Sequence, residues 1–257
     1  IEQIDKAIKK SASLPDRPTE SAAILTAILG HRPDGSLDAI DQPLTPLLDT
    51  TLLTNAPGEP RVGSQVLTEI HSANRIDVIM AFIRRSGIRP LVDALRRHCE
   101  QTGNVVPLRI LTTTYTQSTE RAALDLLHDL GASIRVSYDT STTRLHAKAW
   151  LFHRHSGFST AYIGSSNLTH SAQISGLEWN LRVSGARNPD VIRKMSAMFE
   201  AYWQGGDFRD YDAEEFDRET EREAKAGPTI ILSPIELRLE PFQERLLEQI
   251  TLARTQG

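Results

Sequence analysis

The sequence contains a single cysteine, Cys99, so an internal disulfide framework is excluded and a reducing, cytoplasmic setting is expected. No apolar run approaches the roughly 20 residues that a membrane-spanning helix needs, so no membrane partner is expected. A secretory signal is missing too, since the first residues, IEQIDKAIKK, are charged. The chain opens on Ile rather than Met, as a fragment or a processed form would. No internal repeat is visible, and no Cys, Asp or Glu pattern completes a tetrahedral metal set around the histidines. Lysine is scarce, so the positive charge is carried almost entirely by arginine.

What is present is an ordinary globular composition, 39% hydrophobic and 24% charged, with a net charge of -4. That sum hides an uneven distribution. Residues 61–206 carry 17 Lys and Arg against 11 Asp and Glu, whereas residues 207–223 carry 3 against 9. The middle of the chain therefore suits a polyanionic partner, and the flanks do not. Arg84, Arg85, Arg89, Arg96 and Arg97 form one cluster. The planar guanidinium fork matches phosphate oxygens, although a solvated helix face explains such a cluster equally well.

Composition and periodicity divide the chain into three parts. Residues 1–60 form an amino-terminal helical and irregular extension, ending at the turn-rich NAPGEP. Residues 61–206 alternate between types: VGSQVLTEIHSA is helical, RIDVIMAFI a buried strand, IRPLVDALRRHCEQ a helix and PLRILTTT a strand. TERAALDLLHDLG is then a helix closed by Gly131, and ASIRVSY a strand. This alternation predicts an α/β fold with a mixed, largely parallel sheet flanked by helices on both faces. RLHAKAWLFH and TAYIGSS follow as a hairpin, then LEWNLRVSG as a strand and VIRKMSAMFEAYW as a helix. Trp150, Trp179 and Trp203 are expected in the core. Residues 207–257 begin as an acidic linker or solvated helix.

RLHAKAWLF places an imidazole and an ammonium on one face of an otherwise apolar strand, because side chains alternate. A buried lysine without an anionic partner is costly, which points to a phosphate-shaped pocket. The next strand ends in Gly164-Ser165-Ser166-Asn167, where glycine lets the backbone approach a ligand and Ser and Asn offer uncharged donors. A further strand delivers Glu178. An imidazole can attack phosphorus and split a hard displacement into two easier ones. Lys148, Ser165 and Asn167 can hold the oxygens whose charge grows in the transition state. Glu178 can orient the ring and support the cation it becomes. Arg144 and Ser166 are expected to help bind substrate. So is Tyr115, at the carboxyl end of a strand where open α/β sheets bind ligands. His153 and His155 are expected at the surface of the hairpin.

HAK followed by GSSN resembles the phospholipase D superfamily signature, His-x-Lys then an acid, then Gly-Ser-x-Asn. The resemblance implies a phospholipase-D-like fold, His146 as nucleophile, and Lys148, Ser165 and Asn167 as phosphate ligands. It further implies a second histidine to protonate the leaving group, with neither metal nor other cofactor. The sequence departs where the family has aspartate, since His153 stands five residues after Lys148. The spacing to Gly164 also differs from the common pattern. Metal-independent restriction nucleases of the superfamily show similar departures with a downstream glutamate, for which Glu178 is the candidate.

Several further segments, among them DTTLLTNAPGEP, LTTTYTQSTERAALDLL and GLEWNLRVS, resemble a narrower group. These are the modules at the amino end of certain bacterial superfamily II helicases. LRLEPFQERLLEQITLAR is similar to the segment that opens such a motor, although no Walker A sequence follows it. The implied protein is a metal-independent nuclease acting on DNA, with RNA as the alternative, and joined in cis to a helicase domain. One His-Lys element makes half a site, so a homodimer through the active-site face is expected. A binding or targeting module with weak catalysis is the alternative, and lipid hydrolysis a third, disfavoured by the single motif.

Overall fold

The structure is a computed structural model. It describes residues 31, 34–36, 45–101, 106–139, 145–170, 172 and 178–226. Arg144, the helical SAAILTAILG and the helicase-like LRLEPFQERLLEQITLAR lie outside these residues. The chain divides into two units, residues 1–224 and 225–257. The sheet and the helices packed on it belong to the first.

Eight strands form a single sheet: β1 (Thr51–Leu53), β2 (Arg75–Met80), β3 (Leu108–Thr113), β4 (Ser133–Ser137), β5 (Lys148–His153), β6 (Thr160–Gly164), β7 (Asn180–Ser184) and β8 (Arg209–Asp210). Their order across the sheet is β1-β7-β6-β5-β2-β3-β4-β8. Five helices accompany them among the described residues: α1 (Val62–Ser72), α2 (Val92–Gln101), α3 (Arg121–Asp129), α4 (Pro189–Gln204) and α5 (Ala213–Ala226). A short helical turn, Arg85–Ile88, leads into α2.

The expected mixed α/β sheet is therefore present, but its parallel share is smaller than the sequence rhythm predicts. Only β2–β3 and β3–β4 are parallel; the other five pairings are antiparallel. The cause is connection length. Helical crossovers separate β2, β3 and β4, which allows parallel pairing, while the short link between β5 and β6 permits only an antiparallel hairpin. The sheet also begins before residue 60, with β1 on β7, and continues past residue 206 with β8 on β4.

Alternation along the strands fills both faces. Ile76, Val78, Met80, Ile110, Ile134, Val136, Trp150, Phe152 and Tyr162 point to one side. There they meet Val66 and Ile70 of α1, Leu95 of α2, and Leu124 and Leu127 of α3. The α5 helix, expected as linker or solvated helix, also contributes Phe216 to this core. On the opposite face, Ile79 and Leu111 pack with Phe199 of α4, and Ala149, Leu151 and Ala161 with Ile192 and Met195. The α3 helix closes as expected at Gly131, whose φ of +94° suits the left-handed conformation after a helix end.

One buried polar knot ties the antiparallel half together. Glu69 of α1 pairs with Arg154 and with Arg182 (2.9 Å), and accepts hydrogen bonds from Thr160 (2.7 Å) and Tyr162 (2.9 Å). Arg182 also donates to the carbonyls of Pro46 and Asp49, clamping the chain before β1 against β7. Burial alone pushes the Glu69 carboxyl up, but the charges of Arg154 and Arg182 outweigh it and hold it below the usual carboxylate range.

Candidate functional site

The register of β2 and β5 sets the site. Lys148 pairs with Met80, and Ala81 N–H donates to the Ala147 carbonyl at 3.1 Å, so the two chains run on together beyond the named strands. Phe82 thereby reaches His146, with ring centroids 5.9 Å apart in an edge-to-face contact. Lys148 Nζ lies 5.6 Å from the centroid of the same ring. Phe82 lies beside the site where the sequence reading had only part of a buried strand, because β2 ends at Met80.

Lys148 is 6% exposed, while His146 is open to solvent. The lysine Nζ lies 3.0 Å from His146 Nδ1 and 3.3 Å from Nε2, and donates to the His146 carbonyl at 2.6 Å. No carboxylate stands within ion-pair distance of it among the described residues. Burial pushes the Lys148 ammonium below its ordinary range, and the charge of Glu178 acts in the opposite direction.

Gly164 stands at the end of β6, beside the start of β7. A Cβ there would lie 2.1 Å from the Trp179 carbonyl oxygen. The neighbouring strand is reason enough for glycine at this position. Ser165 continues this contact: its N–H donates to the Trp179 carbonyl at 3.0 Å, and its Oγ accepts from Trp179 N–H at 3.1 Å and donates to Glu178. Glu178 is further placed by its own N–H on the Thr54 carbonyl at 3.4 Å. Its carboxylate makes no hydrogen bond to His146 among the described residues; its electrostatic partner is Lys148.

Asn167 is half-buried and its Oδ1 is fully buried without a hydrogen-bond partner among the described residues. Ser166, expected to touch substrate, is instead buried, where its Oγ accepts from Asn180 Nδ2 at 2.7 Å. Its geometry makes it a positioning residue for β7. Behind it, Asn55 donates to the Ala172 carbonyl at 3.0 Å and caps α1 by accepting from Val62 N–H at 2.9 Å. Tyr115 lies in a turn after β3, half-buried, with its N–H on Thr113 Oγ1 at 3.1 Å.

Two other sequence expectations change. Trp179 is 69% exposed, not core, because it precedes β7 on the open side of the sheet end. His153 is not a free surface histidine: it hydrogen-bonds Asp77 on β2 at 2.7 Å, while His155 is exposed as expected. Asp77 is buried and also binds Arg109. Burial pushes its carboxyl up, but the hydrogen bonds from His153 and Arg109 win and hold it below the usual range. The arginine cluster also divides. Arg96 pairs with Asp93 and Arg97 with His71, both on helix surfaces, whereas Arg84 lies at the mouth of a cleft.

An exposed histidine over a buried lysine, with serine, asparagine and glutamate from the next two strands, thus gathers at one sheet end. A family model described as cardiolipin synthase, PLD-like domain, matches residues 66–203, and the chain belongs to this family. The site sits inside that match.

The structure is similar to that of Nuc, a phospholipase D family member from Salmonella typhimurium, at 20% identity. That match covers 63% of this chain and 97% of the other, with a TM-score of 0.46. NucT from Helicobacter pylori is 13% identical over 63% of this chain and 99% of its own, with a TM-score of 0.44. Polyphosphate kinase from Porphyromonas gingivalis is 16% identical over 59% and 25% of the two chains, with a TM-score of 0.42. No curated protein matches the sequence.

Proposed function

We propose that this protein is a metal-independent nuclease that cleaves DNA phosphodiesters through a phosphohistidine. The observation that carries the reading is Lys148, a buried cation with no acidic partner in ion-pair contact among the described residues, directly beside an exposed histidine. A buried charge of this kind is expensive unless something anionic completes it. A phosphodiester does so.

In the reaction, a ring nitrogen of His146 attacks phosphorus, forming an N–P bond as the P–O bond to the leaving group breaks. Lys148 and Asn167 hold the non-bridging oxygens, where charge accumulates. Ser165, whose hydroxyl proton is engaged by Glu178, positions that carboxylate at the edge of the cradle. The leaving alkoxide takes its proton from a second histidine. Water then cleaves the N–P bond, releasing the phosphate end and restoring the imidazole. The second histidine is His146 of a second copy, which makes the active unit a homodimer joined across the active-site face. The likeness of the carboxyl-terminal segment to a helicase opening supports a motor in cis.

The test is a nuclease assay on labelled DNA in excess EDTA, with His146→Ala as control. Cleavage that survives chelation and disappears in the variant supports the reading, as does label trapped on histidine after acid-free quenching. A strict need for Mg²⁺ sinks it. Tight DNA binding with no cleavage favours the targeting module instead. Light scattering that shows a monomer throughout the active concentration range removes the shared site.

A further inference from the structure

Beside the His146–Lys148 pair lies a cleft of about 380 Å³ lined by Phe82, Arg84, Ser86, Ser118, Thr169 and His170. Three separate stretches build it: the continuation of β2, the turn after β3, and the segment following Asn167. They are bound by main-chain hydrogen bonds. Arg84 N–H donates to the Leu168 carbonyl at 3.0 Å, Leu168 N–H to the Phe82 carbonyl at 3.1 Å, and Glu120 N–H to the Ile83 carbonyl at 2.9 Å. Gly87 allows this approach, since a Cβ there would lie 2.2 Å from the Leu168 oxygen. The walls are therefore fixed, and they stand outside the carboxyl ends of the parallel pair β2–β3, where open α/β sheets bind ligands.

The lining has one chemical character. Arg84 is exposed and has no carboxylate within ion-pair distance among the described residues, unlike Arg109, Arg154 and Arg182. Ser86, Ser118 and Thr169 bring hydroxyls, His170 an imidazole, and among the described residues no acid lines the cleft. Glu120, which follows the turn that carries Ser118, accepts from Arg85 N–H at 2.9 Å. A guanidinium ringed by neutral donors is suited to a phosphate. The wall residue Phe82 touches both His146 and Lys148, so an anion in the cleft is a neighbour of one held at the lysine.

We propose that this cleft binds the phosphate adjacent to the scissile one, through Arg84 and His170, and so selects a polynucleotide over an isolated phosphodiester. The inference rests on the nuclease reading above, and it names the substrate class within it. A diester with one phosphate, such as bis(p-nitrophenyl) phosphate or a phospholipid headgroup, leaves the cleft empty. A strand with successive phosphates fills both positions.

The experiment compares the whole chain with its Arg84→Ala, Arg84→Lys and His170→Ala variants on bis(p-nitrophenyl) phosphate and on a labelled single-stranded oligodeoxynucleotide. For Arg84→Ala, kcat/KM on the oligonucleotide falls about tenfold further than on the small diester, mainly through KM. Arg84→Lys recovers part of that loss, and His170→Ala shows the same preference to a smaller degree. Binding is measured separately by anisotropy in a His146→Ala background. There Arg84→Ala weakens the oligonucleotide about tenfold and lowers the salt slope by about 0.7. Equal losses on the two substrates, unchanged binding, or no oligonucleotide binding at all would overturn the proposal. If the wild type cleaves neither the oligonucleotide nor the small diester, the nuclease reading fails instead, and the binding measurements still decide the cleft.

Discussion

Two buried cationic regions of the same sheet solve the same problem in opposite ways. At the Glu69 knot, Arg154 and Arg182 share one carboxylate, and Thr160 and Tyr162 complete its hydrogen bonds. At the start of β5, Lys148 is nearly as buried, but among the described residues its Nζ meets the His146 ring and carbonyl and the face of Phe82, with no carboxylate in ion-pair contact. The first arrangement is finished by the fold. The second leaves the ammonium without a carboxylate in ion-pair contact among the described residues, as the proposed phosphodiester site requires. The difference separates a structural charge from a site, and it makes opposite predictions for stability and for activity.

The largest effect falls on catalysis at the unfinished region. His146→Ala should lower cleavage by roughly a thousandfold or more, because it removes the atom that bonds phosphorus. Stability should hardly move, since the side chain is exposed. Kinetics on labelled DNA beside a thermal melt checks both statements. A variant that melts early would reassign His146 to the structural side of the comparison.

At the finished region the effect reverses. Glu69→Gln leaves two guanidinium groups buried without their counter-charge, and the cost should be about 3–5 kcal/mol. Thermal unfolding should then move down by at least about 6 °C for a domain of this size. The same knot makes the fold acid-sensitive. Glu69 and Asp77 are both held below their ordinary range in the folded state. Their contribution is therefore present above the unfolded carboxylate pKa, near 4, and is lost as pH falls toward the folded values. Denaturant titrations across that window should show stability dropping with acid, and less steeply in Glu69→Gln.

Lys148→Met tests the contrast within one residue. It removes a buried charge that the fold does not pair, so stability should stay level or rise by about 1 kcal/mol. Cleavage should fall about 10²–10³-fold as the oxygens lose their cation. Loss of both stability and activity would mean that the lysine is held by the fold after all.

These regions were unequally legible in the sequence. His146, Lys148, Ser165, Asn167 and Glu178 lie at or just beyond the ends of three consecutive strands, so local alternation and a short hairpin were enough to bring them to one sheet end. The knot joins Glu69 to Arg154 and Arg182, far apart in the chain, and no local period signals such a pairing. The same limit explains the sheet. Each strand is visible from its own apolar run, but β5 beside β2 is a choice among distant partners, and it turned an expected parallel majority into an antiparallel one. Trp179 was misplaced because aromatic content predicts burial only when a second layer covers the strand end. Gly164 was visible as special, yet its reason, the backbone of β7, is a tertiary contact.

The smallest predicted effect concerns His153, where the chain departs from the signature it resembles. There position 153 faces Asp77, a buried carboxylate on the adjoining strand. Restoring an acid by His153→Asp would set two carboxylates against each other in one site, with Arg109 already engaged by Asp77 and Glu200. That change should cost about 1–3 kcal/mol and bring no gain in cleavage. His153→Gln keeps a donor toward Asp77 and should cost under about 1 kcal/mol. A melt comparing the two variants reads the difference directly. If the aspartate variant were the more stable, Asp77 would not be the partner that makes a histidine necessary here.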